Sequence, residues 1–230
     1  MDHDLSFHSG ERQTASTYDE VRADHRYRYE WADRLIPSQG YGLDAFCGNG
    51  YGAWLLSKTR NLLAFDGSKE AVVFATEHFA TPSARFAHAY WPFSLPHGVF
   101  DFVVSLESVE HVPDGAQFFA ALVQSLKPGG MLVFSTPNEE LLPHAPSGNH
   151  FHYKHYTLEE TLALAVGEGL EIVAWAGQDT YLMQDGRMVG HLTDLDMTLK
   201  DQRPGQFNIV ACRKPAQSRT VMARLRSALS

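Results

Sequence analysis

The chain has 230 residues and a formal net charge of −8, with 44% hydrophobic, 12% aromatic and 20% charged residues, the make-up of an ordinary globular domain. No window approaches the roughly 18 consecutive apolar residues of a membrane span, and the opening Met1-Asp2-His3-Asp4 lacks the basic and apolar regions of a signal peptide, so a cytoplasmic location is expected. The acidic balance argues against DNA or an anionic membrane as partner, and Cys47 and Cys212 make neither a disulfide framework nor a zinc site by spacing, which leaves small molecules as the expected partners.

In chain order, residues 18–36 carry Val21, Tyr29, Ala32, Leu35 and Ile36 at helical spacing and predict a helix that packs on the core, its first residues near a sheet's ligand edge. Beyond it, short apolar runs alternate with amphipathic stretches. Strands are expected at 41–46, 61–65, 84–88, 100–106, 131–135, 170–176 and 207–212, and helices at 50–57, 69–78, 114–126 and 158–167. Pro113 suits a first helical turn, Thr157 an N-cap, and Lys127-Pro128-Gly129-Gly130 a stop and turn. That alternation predicts an α/β, Rossmann-like, doubly wound sheet of seven strands with helices on both faces. Residues 177–205 are long for a connection and read as either an inserted substrate element or a flap. After Pro215, Val221, Met222, Leu225 and Leu229 recur at helical spacing in a tail rich in Ser, Arg and Ala. The expected division is an N-terminal arm and capping helix at 1–39, a catalytic domain at 40–214 and a tail at 215–230.

The most informative stretch runs from Gly42 to Gly52, an apolar strand bearing Asp44 followed by glycines that open a helix. Such a turn lets backbone N–H groups approach a nucleotide-like ligand. Because Gly48, Gly50 and Ala53 also satisfy a dinucleotide pattern, the turn alone does not choose the ligand. The next strand ends in Asp66, placed to accept from both ribose hydroxyls of an adenosine. Asp44 discriminates, because a second carboxylate beside the turn repels a pyrophosphate and pairs with the ammonium of an amino-acid ligand. Adenosine plus ammonium describes S-adenosylmethionine.

Over roughly residues 10–178, and by strand pattern to 212, the chain resembles the class I S-adenosylmethionine-dependent methyltransferases. Leu43-Asp44-x-x-Cys47-Gly48-x-Gly50-Tyr51-Gly52 is similar to the first motif of that family, Asp66-Gly67-Ser68-x-Glu70-Ala71 to its second, and Phe100-Asp101-x-Val103-Val104-Ser105 to its fourth strand. Leu126-Lys127-Pro128-Gly129-Gly130 before Ser135-Thr136-Pro137-Asn138 resembles it too. The nearest patterns are bacterial enzymes of polysaccharide, small-metabolite and quinone pathways, in which Gly10-Glu11-Arg12 precedes an N-terminal helix. The resemblance implies a seventh strand antiparallel to the rest and inserted between the fifth and sixth, with the cofactor held by Asp44, Gly48, Gly50, Asp66, Gly67, Ser68, Tyr90, Trp91 and Leu106. Two departures stand out. Phe46 occupies a position the family usually gives to Gly or Ala, and Tyr90 one it commonly gives to an acid, so Tyr90 and Trp91 either stack on the adenine or pack in the core.

Glu107-x-x-Glu110-His111 follows the fourth strand, where open α/β proteins place their ligands. If the segment is helical, the three share a face. His111, of a residue type with a reference pKa of about 6.5, is the candidate general base with Glu110 or Glu107 orienting it. The same spacing resembles a metal motif of quinone-biosynthesis and small-RNA O-methyltransferases. There His152 would complete a Glu107, Glu110, His111, His152 set for Mg²⁺, Mn²⁺ or Zn²⁺. The activity so implied is methyl transfer from S-adenosylmethionine to a small-molecule or glycan acceptor, at oxygen. Alternatives are a catalytically weak partner subunit of this fold, a small-RNA 2′-O-methyltransferase, and a nicotinamide-dependent reductase using the same glycine turn and Asp66.

Overall fold

The computed structural model describes residues 13–147 and 149–216. Gly10-Glu11-Arg12 and the apolar positions of the tail lie outside the described residues. The strands are β1 (Tyr41–Ala45), β2 (Asn61–Asp66), β3 (Ala84–His88), β4 (Phe100–Leu106), β5 (Leu126–Pro137), β6 (Glu171–Gln178), β7 (Tyr181–Gln184), β8 (Arg187–His191), β9 (Lys200–Asp201) and β10 (Phe207–Arg213). The helices are α1 (Ala23–Leu35), α2 (Tyr51–Leu56), α3 (Lys69–His78), α4 (Gly115–Ser125), α5 (His144–Ser147) and α6 (Leu158–Gly167).

The main sheet has the order β3-β2-β1-β4-β5-β10-β6-β9. β1 to β5 run parallel, and β10 lies between β5 and β6, antiparallel to both. The seven expected strands are all present, and β9 adds a two-residue edge pairing with β6 at Ala176 and Gly177. Alternation along the central strands builds two cores. One face buries Phe102, Val104, Ile209 and Ala211 under α1, α2 and α3, and the other buries Val103, Leu132, Val210 and Cys212 under α4 and α6.

Four sequence readings change in detail. The single helix expected at 18–36 is a one-turn 3₁₀ segment at Tyr18–Glu20 followed by α1, because Val21 and Arg22 are extended between them. β1 stops at Ala45, since Phe46 turns into the left-handed region at φ 59. The Lys127–Gly130 stretch read as a turn belongs to β5, where Phe100 pairs with Leu126 and Gly129 N–H donates to Lys214 O at 2.9 Å. Residues 177–205 hold the antiparallel β7–β8 hairpin and β9, and Met197 between β8 and β9 is buried, its carbonyl accepting from Gln178 Nε2 at 2.7 Å. Thr157 caps α6 as expected, its hydroxyl accepting from Glu160 N–H at 3.1 Å while Glu160 reaches back to Thr157 N–H at 3.0 Å.

Candidate active site

At the carboxyl ends of β1, β2 and β4 opens a cleft of about 1090 Å³, mouth included, bordered by the glycine turn, the first turns of α1 and the loop after β4. Of the residues expected to hold a cofactor, Gly48, Asp66, Gly67, Tyr90, Trp91 and Leu106 line it, as do Glu107 and His111. Asp44, Gly50 and Ser68 sit behind the lining. Ser68 is 2% exposed and caps α3, its hydroxyl accepting from Ala71 N–H at 3.3 Å.

Packing dictates the glycine turn. Gly50 has φ 93, and a Cβ there would lie 2.6 Å from the Cβ of Ala75, so only glycine lets α2 start against α3. Asp66 ties the turn to β2: one carboxylate oxygen accepts from Gly48 N–H at 2.9 Å and the other from Ser68 N–H at 2.9 Å. Asp44 is fully buried, and the Tyr29 hydroxyl donates toward both its oxygens at 3.2 and 3.3 Å. Burial pushes the Asp44 carboxyl up to about 8 against the Tyr29 hydrogen bond, and the charge of Asp66 adds to the rise.

Phe46 borders the cleft, its ring stacked on Phe118 at 5.0 Å and edge-on to Phe65 at 5.9 Å. Its left-handed backbone is how a large side chain is accommodated where the resemblance expects a small one. Trp91 packs edge-on against Phe93 at 5.1 Å and Phe118 at 5.4 Å while bordering the cleft, and Tyr90 is 53% exposed beside it. Core packing and cleft wall are therefore one surface at Trp91.

The sequence reading missed the polar face of α1. Arg28, which lines the cleft, is 3% exposed; its Nε donates to Gln178 Oε1 at 2.7 Å and its Nη2 to Asp24 Oδ2 at 3.2 Å. Its Nη1 lies 3.4 Å from Glu107 Oε1. Asp24 takes a two-pronged bond from Arg22 at 2.7 and 2.8 Å and a third from the Thr180 hydroxyl at 3.2 Å. Burial opposes ionisation of Asp24, but His25, Arg22 and Arg28 outweigh it and hold the carboxyl well below its usual range. Burial, with help from Arg28 and Arg22 and against Asp24, pushes the His25 imidazole down to about 3, so it stands neutral opposite the Tyr51 hydroxyl at 2.9 Å. The Asp24 and Arg28 pairing at i, i+4 was the available sequence signal.

After β4 the chain does not turn helically at once. Glu107 adopts φ 51 and only Val109–His111 form a 3₁₀ turn, so the shared face expected for Glu107, Glu110 and His111 is not formed. Glu107 points to Ser135, whose hydroxyl donates to Oε1 at 2.6 Å, and to Arg28; burial outweighs both and pushes its carboxyl up. Glu110, fully buried, lies 3.9 Å from His111 Nε2, and the His111 ring meets His152 edge-on at 4.5 Å. Ligand atoms of Glu110, His111 and His152 all fall within 4.8 Å of one another. His152 Nδ1 lies 2.7 Å from His155 Nε2, and Asn149 Nδ2 lies 2.9 Å from His152 Nε2. Three of the four residues expected to ligate a cation are thus together, and Glu107 is not with them.

An open α/β sheet with a glycine turn, carboxylates at the ends of β1 and β2, and a polar cluster after β4 defines a Rossmann-like fold with its candidate site at the carboxyl edge of the sheet. A methyltransferase-domain family profile matches residues 43–134. The ubiquinone biosynthesis O-methyltransferase of Thiobacillus denitrificans is 30% identical over 163 residues, 63% of this chain and 70% of that protein. A probable S-adenosylmethionine-dependent methyltransferase of Mycolicibacterium smegmatis is 31% identical over 136 residues, 56% of this chain and 51% of that protein. The chain spans about half the length of the mycobacterial relatives it matches. In fold it is similar to the N-methyltransferase NodS of Bradyrhizobium japonicum, solved in complex with S-adenosyl-L-homocysteine, with a TM-score of 0.62, 18% identity, and coverage of 84% of this chain and 89% of that one. The chain belongs to the S-adenosylmethionine-dependent methyltransferases. That membership separates it from the nicotinamide reductases its glycine turn also resembles.

Proposed function

We propose that the protein transfers the methyl group of S-adenosylmethionine to an oxygen atom of a small-molecule or sugar acceptor. The observation that carries this reading is one cleft lined by Gly48 and Asp66 as well as by His111, with a carboxylate oxygen of buried Glu110 3.9 Å from His111 Nε2. In this reading Asp66 receives the ribose hydroxyls, Tyr90 and Trp91 flank the adenine, and Asp44 supports the amino-acid end. The acceptor oxygen attacks the methyl carbon, the carbon–sulfur bond breaks with its pair staying on sulfur, and the acceptor proton passes to an imidazole nitrogen of His111. The sulfonium supplies the leaving group, so the protein contributes alignment and a base. The division at residue 40 shifts in this reading, because His25, Arg28 and Tyr29 of α1 line the cleft and belong to the catalytic unit with residues 40–214. A net charge of −8 favours neutral or cationic acceptors over nucleic acid.

The clustering of Glu110, His111 and His152 favours a second reading of the same site, in which these three would hold a divalent cation and lower the pKa of an acceptor hydroxyl. Labelled S-adenosylmethionine offered with sugars, polyols, phenols and amines tests the proposal: label in an O-methyl product is expected, and label confined to amines, or to no product, would overturn it.

A further inference from the structure

Asp44 is the discriminating carboxyl of the turn, yet it is fully buried and does not border the cleft, whereas Tyr29, the residue hydrogen-bonded to it, does. The fold is arranged around that contact. A Cβ on Gly52 would lie 2.0 Å from Tyr29 Cζ, so the last glycine of Gly48-Asn49-Gly50-Tyr51-Gly52 makes room for the hydroxyl end of Tyr29. The ring is braced edge-on by Tyr51 at 5.6 Å, and Tyr51 is itself braced by His25, ring to ring at 6.0 Å. A phenol that donates its single proton to a carboxylate keeps its oxygen lone pairs as acceptors.

We propose that Tyr29 is the residue through which Asp44 acts on the cofactor, its hydroxyl donating to Asp44 while its oxygen accepts from the cofactor's amino group. This rests on the proposed use of S-adenosylmethionine, and it makes Tyr29 a determinant of specificity for the amino-acid end. An ionised Asp44 strengthens the phenolic oxygen as an acceptor, since hydrogen bonds in a chain polarise one another. Among the described residues, the groups that act on Asp44 are Tyr29 from α1, Tyr51 from α2 and Asp66 from β2, none of them cationic; the Arg28 guanidinium of α1 lines the same cleft and acts on Tyr51, but its own carboxylate partners are Asp24 and Glu107. With Asp44 raised to about 8 in the free protein, the ligand-free carboxyl holds its proton at about pH 6 to 7, so binding of the cationic amino group is accompanied by proton release that a ligand without that group does not cause.

The test is calorimetry of wild type, Tyr29→Phe, Asp44→Asn and the double variant with S-adenosylmethionine, decarboxylated S-adenosylmethionine and methylthioadenosine, which lacks the amino group. Tyr29→Phe is expected to weaken both amino-bearing ligands by about tenfold or more and methylthioadenosine by less than twofold. The double variant is expected to lose no more than the larger single loss, because one chain of bonds is broken in either place. Equal losses for all three ligands, no loss, or additive losses would overturn the inference. Should the variants fold poorly, the wild type decides alone: calorimetry at about pH 6.5 in buffers of different ionisation enthalpy is expected to show proton release on binding S-adenosylmethionine and none with methylthioadenosine, and equal proton release for the two would overturn it. Failure of wild type to bind any of the three would instead overturn the proposed function.

Discussion

Replacing Asp66 by Ala separates the two tasks assigned to that carboxylate. In the protein alone its oxygens accept two backbone N–H bonds at 2.9 Å, from Gly48 and from Ser68, and the side chain is 3% exposed. A hydrogen bond to a charged group contributes about 1.5–3 kcal/mol, but the Gly48 N–H borders the cleft and regains water when its partner is lost, so the larger part of the penalty falls on buried Ser68. A stability loss of about 2–3 kcal/mol follows, which lowers the melting temperature by roughly 5–10 °C for a chain of this size. An ionised carboxylate has about four acceptor sites, so two backbone bonds are compatible with two ribose hydroxyls. Losing the hydroxyl contacts costs a further 2 kcal/mol or so of cofactor affinity, roughly 30-fold in Kd. Calorimetry and thermal unfolding on one preparation give both numbers. A variant with the lowered melting temperature and a Kd within twofold of wild type would refute the ribose assignment and leave Asp66 as the tie between the turn and β2.

Asp44→Asn is expected to act oppositely on stability and binding. The folded carboxyl sits at about 8 and an unfolded one at about 3.9, so between those values the folded state holds a proton that the unfolded state has lost. The contribution of Asp44 to stability of the ligand-free protein is therefore full below about 4, falls as pH rises and is gone above about 8; Asn should flatten that slope, raise the melting temperature at pH 8 and weaken S-adenosylmethionine more than methylthioadenosine. Parallel melting profiles for the two proteins from about pH 5 to 8 would contradict it. His111→Ala should slow turnover by about 10²-fold or more with cofactor affinity intact. EDTA should leave wild-type turnover unchanged if His111 is the base, and abolish it, restorably by divalent cation, if Glu110, His111 and His152 hold a metal; near-normal turnover of His111→Ala with and without EDTA would assign the cluster a structural role.

What was legible in the sequence was whatever depended on local period and turn chemistry. The alternation at 100–106 and 207–212, and the Thr157 and Glu160 cap, specify their elements through contacts a few residues apart. The order of strands and the antiparallel β10 came from resemblance, because pairing partners such as Ile209 and Ser135 are too far apart in sequence for any local pattern to reveal. The site divided the same way. Gly48 and Asp66 were readable from spacing, whereas Glu107 defeated the helical reading because a left-handed residue follows β4, where Ser135 and Arg28 reward the deviation with a hydrogen bond and an ion pair. Arg28, Tyr29 and His25 went unread as site residues because a helix ahead of the sheet shows its apolar stripe in sequence but not the cleft that its polar residues face.

Which ligand enters the cleft is the most direct test of the whole site. Calorimetric titration of the protein with S-adenosylmethionine, and separately with NADH, is expected to give one saturable site for the first and no heat for the second, with S-adenosylhomocysteine competing at the same site. Saturable binding of NADH with none of S-adenosylmethionine would contradict the roles of Asp44, Asp66 and Tyr29 together.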